Sequence, residues 1–269
     1  MNPKFFEFIA EHDEAGDLLP LFHATNAYSF NQICDDAELK PEDCDVFNRN
    51  TLYFFYGRPA YRTAKGRIGF QAKWSWPIVF VFHPEVLRQV EAVYPFDTGA
   101  FHRKFYREFF DDRQELHEFD MGNQVQVASK CISAFYRSNE EYFRNYSTKN
   151  VEIDEQDFFA GGVEALLKAT QLASPEDPSP RDERSTSIEL QTRQELSLSK
   201  ECPLGLVLPQ TYARNSRVQD AIRGWNPKYV RYYETLNMQN YEVWHGQIYA
   251  KVREILVDGG FLHSEEEST

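Results

Sequence analysis

The chain has 269 residues, of which 42% are hydrophobic and 15% aromatic, and its formal net charge is −13. This composition excludes a disordered chain, and no stretch approaches the ~18 apolar residues of a membrane span, so no membrane partner is expected. The acidity disfavours a broad nucleic-acid-binding surface. The N-terminus lacks the basic start and apolar core of a signal peptide, which favours a cytoplasmic protein. The four cysteines have neither CxxC nor zinc-type spacing, so we expect free thiols and no metal.

Apolar spacing and turn residues predict the elements of the N-terminal third in chain order. They are a short helix around Phe5–Ile9, a strand over Leu18–His23, a helix over Ser29–Asp36, an aromatic strand over Leu52–Tyr56, a central strand over Pro77–His83 and a helix over Pro84–Val90. Gly57 and Pro59 end the aromatic strand.

The remainder of the chain mixes helical and strand-like segments around a proline-rich loop over Ser174–Ser185. Helices are predicted over Val125–Arg137, Asp154–Leu172 and Tyr241–Val257, and strands over Ser187–Thr192 and Leu204–Leu208. There is no internal repeat or long linker. The simplest partition is therefore a single α+β domain over residues 1–269, with a helical insert at about 100–172.

Three strand ends each place a polar residue in or beside an otherwise apolar strand. They are His23 within residues 22–25, the run LYFFYGRPAY over residues 52–61, and Glu189 within residues 185–191. A buried polar group is costly unless it is satisfied, so such residues often mark a functional site.

These segments together resemble the ADP-ribosyltransferase superfamily. An H-x-T strand, a small helix, an aromatic strand about 30 residues later and a late glutamate follow that pattern. The run at residues 52–61 is similar to the YF-x-P-R-x-P-x-x-Y segment of DarT-type toxins, which modify DNA bases, although Gly57 replaces the proline and the spacing from Arg58 to Tyr61 is shorter. The resemblance covers residues 18–83 and 184–210.

The resemblance implies a split antiparallel β-sheet core with helical insertions, and NAD⁺ as co-substrate without a metal. It also implies a toxin or anti-phage defence effector, for which an antitoxin or immunity partner is expected. The acceptor is a macromolecule, either nucleic acid or protein. The basic run between Arg58 and Lys73 favours nucleic acid, whereas the net charge disfavours it.

Cleavage of NAD⁺ at the nicotinamide bond develops an oxocarbenium-like centre, which a carboxylate stabilises. Glu189 is the candidate for that role, His23 for a hydrogen bond to the adenosine ribose or diphosphate, and Arg58 for the diphosphate itself. The candidate catalytic residues are Glu189, His23 and Tyr56, and the candidate NAD⁺-binding residues are Ala24, Thr25, Tyr53, Arg58 and Tyr61. Either Tyr56 or Tyr61 is expected to stack on the nicotinamide.

Several alternatives stay open from the sequence. Glu195 is a rival to Glu189, and the row Ser187, Glu189, Gln191 also fits a solvent-facing edge strand. The loop Pro95–Ala100 contains Asp-Thr-Gly, but it lacks the second copy of an aspartic protease and is instead a candidate border of the NAD⁺ cleft. The alternatives to the leading transferase hypothesis are an NAD⁺ glycohydrolase and a non-enzymatic protein whose acidic surface binds a basic partner.

Overall fold

The computed structural model describes residues 4–60, 73–152, 161–171, 182–235 and 241–263. Its strands are β1 (Leu21–Asn26), β2 (Glu38–Leu39), β3 (Glu42–Cys44), β4 (Arg49–Tyr56), β5 (Pro77–Phe82), β6 (Ala92–Tyr94), β7 (Glu189–Thr192), β8 (Leu196–Ser197), β9 (Gly205–Pro209) and β10 (Tyr229–Tyr233). Its α-helices are α1 (Lys4–Ala10), α2 (Ala27–Asp36), α3 (Thr98–His102), α4 (Gln126–Phe135), α5 (Asn139–Arg144), α6 (Gly161–Gln171), α7 (Ser216–Trp225) and α8 (Tyr241–Asp258). The α+β class predicted from the sequence is confirmed, with mostly antiparallel strand pairing.

Most of the predicted elements are present with bounds shifted by a few residues. The first part of the helix predicted over Asp154–Leu172 and most of the loop predicted over Ser174–Ser185 lie outside the described residues. One predicted element differs in kind, since the helix expected after Pro84 is only the 3₁₀ turn Pro84–Val86, because Leu87 already has an extended backbone with φ −87° and ψ 107°. In the part of the chain that is described, no helix is long and apolar enough to cross a membrane.

The described residues form two compact units, each assembled from segments distant in sequence. The first unit lies within Met1–Leu19, Glu42–Gly57 and Gln89–Arg193, and the second within Pro20–Pro41, Arg58–Arg88 and Gln194–Thr269. The segment predicted as a helical insert belongs to the first unit, where it supplies α3 to α6.

The first unit contains an antiparallel sheet in which β7 lies between β4 and β6. β4 pairs with β7 in the register Tyr53 to Gln191 and Phe55 to Glu189. β6 pairs with the other edge of β7 and places Tyr94 opposite Glu189. Strand β3 pairs with the start of β4. The polar residues of β7 therefore lie in the middle of this sheet.

Aromatic side chains pack beside the sheet of the first unit and form much of its core. The Phe96 ring stacks on Phe101 with centroids 4.7 Å apart, and meets the Phe110 and Phe119 rings edge-on at 5.2 and 5.0 Å. All four side chains are buried. Edge-to-face and stacked pairs add specific geometry to the burial of apolar area, so they fix the backbone that follows Phe96.

The second unit is built on β5, whose six residues are all buried. β5 pairs antiparallel with β1 on one edge and with β9 on the other, and β9 pairs in parallel with β10. A strand buried on both faces is a continuous apolar run, which is why Pro77–Phe82 could be predicted from the sequence as a central strand.

Candidate functional site

The polar row of β7 is buried on both faces of the strand. Ser187, Glu189 and Gln191 are 0%, 2% and 0% exposed, and the intervening Ile188 and Leu190 are buried too. This burial distinguishes the row from a solvent-facing edge strand, which would leave alternate side chains in water. Glu195, the rival carboxylate from the sequence, is exposed.

The neighbouring strands place aromatic side chains on the same face of the sheet as Glu189. Residues directly opposite each other on an antiparallel pair point to one face, so Phe55 and Tyr94 flank Glu189 while Tyr53 lies beside Gln191. We call the sheet face that carries Glu189, Gln191 and these three aromatic residues the polar face of the first unit. Tyr53 and Phe55 are only half-buried, so this face is more open than the opposite face of β4.

Three donors hold the Glu189 carboxyl in place. The Thr98 backbone N–H donates to Oε2 at 3.1 Å, and the Thr98 hydroxyl donates to Oε1 at 2.7 Å. The Gln191 side chain adds a third bond, from its Nε2 to Glu189 Oε1 at 2.9 Å. A buried carboxyl with these partners has a single fixed orientation, since each rotation away would break a bond in a place that water does not reach.

Thr98 reaches Glu189 because the loop before α3 is itself fixed. Asp97 caps α3 by accepting a bond from the Ala100 N–H at 2.8 Å, which is the usual role of an aspartate at this position. The Asp97 N–H donates to the Arg184 carbonyl at 3.0 Å, and Arg184 Nη1 lies 3.5 Å from Asp97 Oδ2. The Asp-Thr-Gly loop thus borders Glu189.

Burial dominates the electrostatics of Glu189. It raises the pKa of this carboxyl to about 8, and the negative charge of Asp97 adds to the rise, whereas the bonds from Gln191 and Thr98 oppose it. Burial also raises the pKa of Asp97, against the effect of Arg184. A carboxyl with a pKa near neutrality is suited to proton transfer. It can also become ionised when a cation binds beside it, and the carboxylate then stabilises that positive charge.

The tyrosines of the polar face keep their phenol protons across the physiological range. Burial raises the pKa of Tyr94 to about 12, and burial together with a hydrogen bond to Cys44 raises the pKa of Tyr53. The Tyr53 hydroxyl donates to Cys44 Sγ at 2.6 Å. The half-buried ring of Tyr53 is thereby anchored at its polar end, and it offers an aromatic surface close to Glu189.

Tyr56 lies on the opposite face of β4 from Tyr53 and is fully buried. Its hydroxyl accepts a bond from the Leu19 N–H at 2.9 Å, and its carbonyl accepts one from the Tyr142 hydroxyl at 2.8 Å. These contacts make Tyr56 a core residue of the first unit. The sheet therefore separates it from Glu189 and leaves Tyr53 as the tyrosine of β4 that shares its face.

Gly57 ends β4 in a conformation that the proline of the toxin motif cannot adopt. Its φ is +70°, and a Cβ added here would lie 2.5 Å from Leu19 Cδ1 and 2.9 Å from Tyr142 Cε1. Proline is restricted to φ near −65°. The departure from the motif is thus enforced by both the backbone and the packing at this position.

The other candidates from the sequence lie in the second unit. His23 is half-buried on β1 opposite Phe80, with ring centroids 6.3 Å apart. Ala24 and Thr25 follow it on the same strand and are also half-buried. Arg58 is fully buried. Tyr61 lies outside the described residues, as does most of the basic run that follows it.

The residues that sequence reasoning missed are Thr98 as a partner of Glu189, together with Tyr94 and Arg49. Arg49 Nη2 donates to Gln191 Oε1 at 3.1 Å, so it extends the network one residue beyond the carboxyl. The period-two pattern of β7 was the signal for Gln191, whereas Thr98 lies 91 residues from Glu189 in the chain and no local pattern links the two. Within the described ranges, no group of three His, Cys, Asp or Glu side chains is arranged to hold a metal ion.

Comparison of this chain with protein-family models, with curated proteins and with solved structures finds no match.

Proposed function

We propose that the chain is an ADP-ribosyltransferase that cleaves NAD⁺ and transfers ADP-ribose to a macromolecular acceptor, with Glu189 as its catalytic carboxyl. We include in this proposal that the sheet is the split antiparallel sheet of the ADP-ribosyltransferase type. The observation that supports it best is the buried Glu189 carboxyl, fixed by Thr98 and Gln191 on the same sheet face as the half-buried Tyr53 and Phe55 rings.

The chemistry follows from what each side chain offers. The nicotinamide ring of NAD⁺ is cationic, and a cation beside Glu189 favours the ionised carboxylate. From its buried position, that carboxylate stabilises through its charge the oxocarbenium-like ribose that forms above this face, as the bond from C1′ to the nicotinamide nitrogen breaks and neutral nicotinamide leaves with the bonding electrons. The acceptor then attacks C1′ and loses a proton. Tyr53 is the ring we assign to stacking on the substrate.

The test uses NAD⁺ labelled in its adenylate phosphate, incubated with the full chain and with single-stranded DNA, RNA or lysate protein in turn. We expect acid-stable label on one of these acceptors, together with an equal amount of released nicotinamide. Transfer to nucleic acid or to protein would identify the acceptor class. A biological role as toxin or anti-phage defence effector, with its neutralising partner, is part of the same proposal.

Two results would contradict the proposal. Nicotinamide released with free ADP-ribose and no labelled acceptor would mean a glycohydrolase. No consumption of NAD⁺ by the folded protein would instead favour the non-enzymatic alternative. Glu195→Gln is the matched control for Glu189→Gln, because it makes the same chemical change at an exposed position.

A further inference from the structure

The Gln191 amide lies between a group that only donates hydrogen bonds and a group that only accepts them when ionised. On one side, Arg49 Nη2 donates to Gln191 Oε1 at 3.1 Å. On the other side, Gln191 Nε2 donates to Glu189 Oε1 at 2.9 Å. A guanidinium has no acceptor, so the amide oxygen must face Arg49 and the amide nitrogen must face Glu189.

Without Arg49, the amide has a second arrangement. A flip would turn Gln191 Oε1 toward Glu189, and that arrangement is favourable only when Glu189 is protonated and donates a bond. The two amide orientations therefore favour different protonation states of the carboxyl. Arg49 selects the one that favours the carboxylate.

We infer that Arg49 is a positioning residue that acts through Gln191 on the Glu189 carboxyl, by fixing which end of the Gln191 amide faces it. Its catalytic consequence rests on the proposed transferase function, but its effect on Glu189 does not. Arg49 is well placed for this role because its own position is fixed. Its guanidinium lies 5.3 Å from the centroid of the Phe47 ring and 3.9 Å from Glu91.

Four other titratable groups interact electrostatically with Glu189, but its hydrogen bonds are to Thr98 and Gln191. The four groups are Asp97 from the loop before α3, Tyr53 from β4, Tyr94 from β6 and Tyr106 from the segment after α3. Arg193 is the natural control, since it also pairs with Glu91, at 3.2 Å. Arg193 is thus a cation paired with the same Glu91 carboxylate, and in the described part of the chain its side-chain bonds go to Glu91 and not to Gln191.

The test follows the carboxyl carbon of Glu189 by NMR in protein labelled with ¹³C-glutamate, with Glu189→Gln used to assign the signal. We expect Arg49→Met to move the Glu189 titration upward by about one pH unit, the equivalent of one ordinary hydrogen bond. Arg49→Lys keeps a cationic donor and should move the Glu189 titration upward by less than Arg49→Met does. Arg193→Met should leave the Glu189 titration unchanged. This readout needs no activity, so it stays decisive even if NAD⁺ is not consumed.

A double-mutant cycle tests whether the effect passes through the amide. Gln191→Met should raise the Glu189 titration by itself, and adding Arg49→Met to that variant should change nothing further. An unchanged titration in Arg49→Met, or a full further shift in the double variant, would overturn the inference. If Arg49→Met does not fold, the same comparison is made with Arg49→Lys and Arg49→Gln. If the protein proves active, the acid limb of its kcat/KM profile should move in parallel.

Discussion

Thr98 binds both oxygens of Glu189, with its hydroxyl 2.7 Å from Oε1 and its backbone N–H 3.1 Å from Oε2. The first residue of α3 thus fixes the orientation of a carboxyl on strand β7. The backbone bond is retained in every substitution except proline, so the contribution of the hydroxyl can be measured separately.

Thr98→Val should destabilise the ionised form of Glu189, because valine has the shape of threonine but lacks its hydroxyl. The hydroxyl bond opposes the rise in the pKa of Glu189, so its loss should move the ¹³C titration of Glu189 to higher pH. We also expect the free energy of unfolding in urea to fall by about 1–2 kcal/mol. Thr98→Ser retains the hydroxyl and should stay close to the wild type. A shift of the titration in Thr98→Ser with none in Thr98→Val would show that the methyl group, and not the hydrogen bond, is what matters.

Glu189 should make the protein less stable as the pH rises. The pKa of Glu189 is raised from 4.5 to about 8 in the folded state, so between these values the folded state holds a proton that the unfolded state has released. Stability is then fully present below about pH 4.5 and declines toward pH 8. Urea unfolding of the wild type across this range should show a decline that Glu189→Gln lacks. The same decline in both proteins would assign it to other groups.

The two tyrosines of β4 should respond differently to substitution. Tyr56→Phe removes the buried acceptor of the Leu19 N–H, so we expect a loss of about 1–3 kcal/mol in stability and no change in NAD⁺ affinity. Tyr53→Ala removes the half-buried ring beside Gln191 and should weaken NAD⁺ binding measured by calorimetry. Tyr53→Phe, which keeps the ring, is its control. A loss of NAD⁺ affinity in Tyr56→Phe with full stability would reverse the assignment.

Gly57→Ala should be strongly destabilising. Its φ of +70° is unfavourable for alanine, and the new Cβ would lie 2.5 Å from Leu19 Cδ1. We expect a decrease of about 2 kcal/mol or more in the free energy of unfolding, because strain and overpacking add. Gly224→Ala is the matched control, since it lies within α7 and nothing is found within 4 Å of its added Cβ. Equal effects at the two positions would contradict this account of Gly57.

The sequence predicted the elements whose pattern is continuous and missed those that depend on distant partners. β5 was evident because Pro77–Phe82 is an unbroken apolar run. β6 has only three residues, Ala92–Tyr94, and it exists because β7 pairs with it. α7 was overlooked although Asn215 caps it and its buried Val218, Ile222 and Trp225 have helical spacing.

In the candidate site too, the residues in a local pattern could be predicted from the sequence, and those that depend on distant partners could not. The alternation of polar and apolar residues singled out Glu189 and Gln191, and both are indeed on one buried row. The run is aromatic at every position from 53 to 56, so its pattern does not show which of Tyr53 and Tyr56 shares the face of Glu189; the register with β7 decides this. The partnership with Thr98 required the fold itself, because the Phe96 cluster determines where that loop lies.

The release of nicotinamide from NAD⁺ tests the central claim most directly. The wild-type chain and Glu195→Gln should release nicotinamide at similar rates, whereas Glu189→Gln should be slower by about 100-fold or more, as expected when a group that stabilises transition-state charge is lost. The folding of each variant would be checked by urea unfolding. A folded Glu189→Gln variant that releases nicotinamide at the wild-type rate would contradict the account, and so would a wild-type protein that leaves NAD⁺ intact.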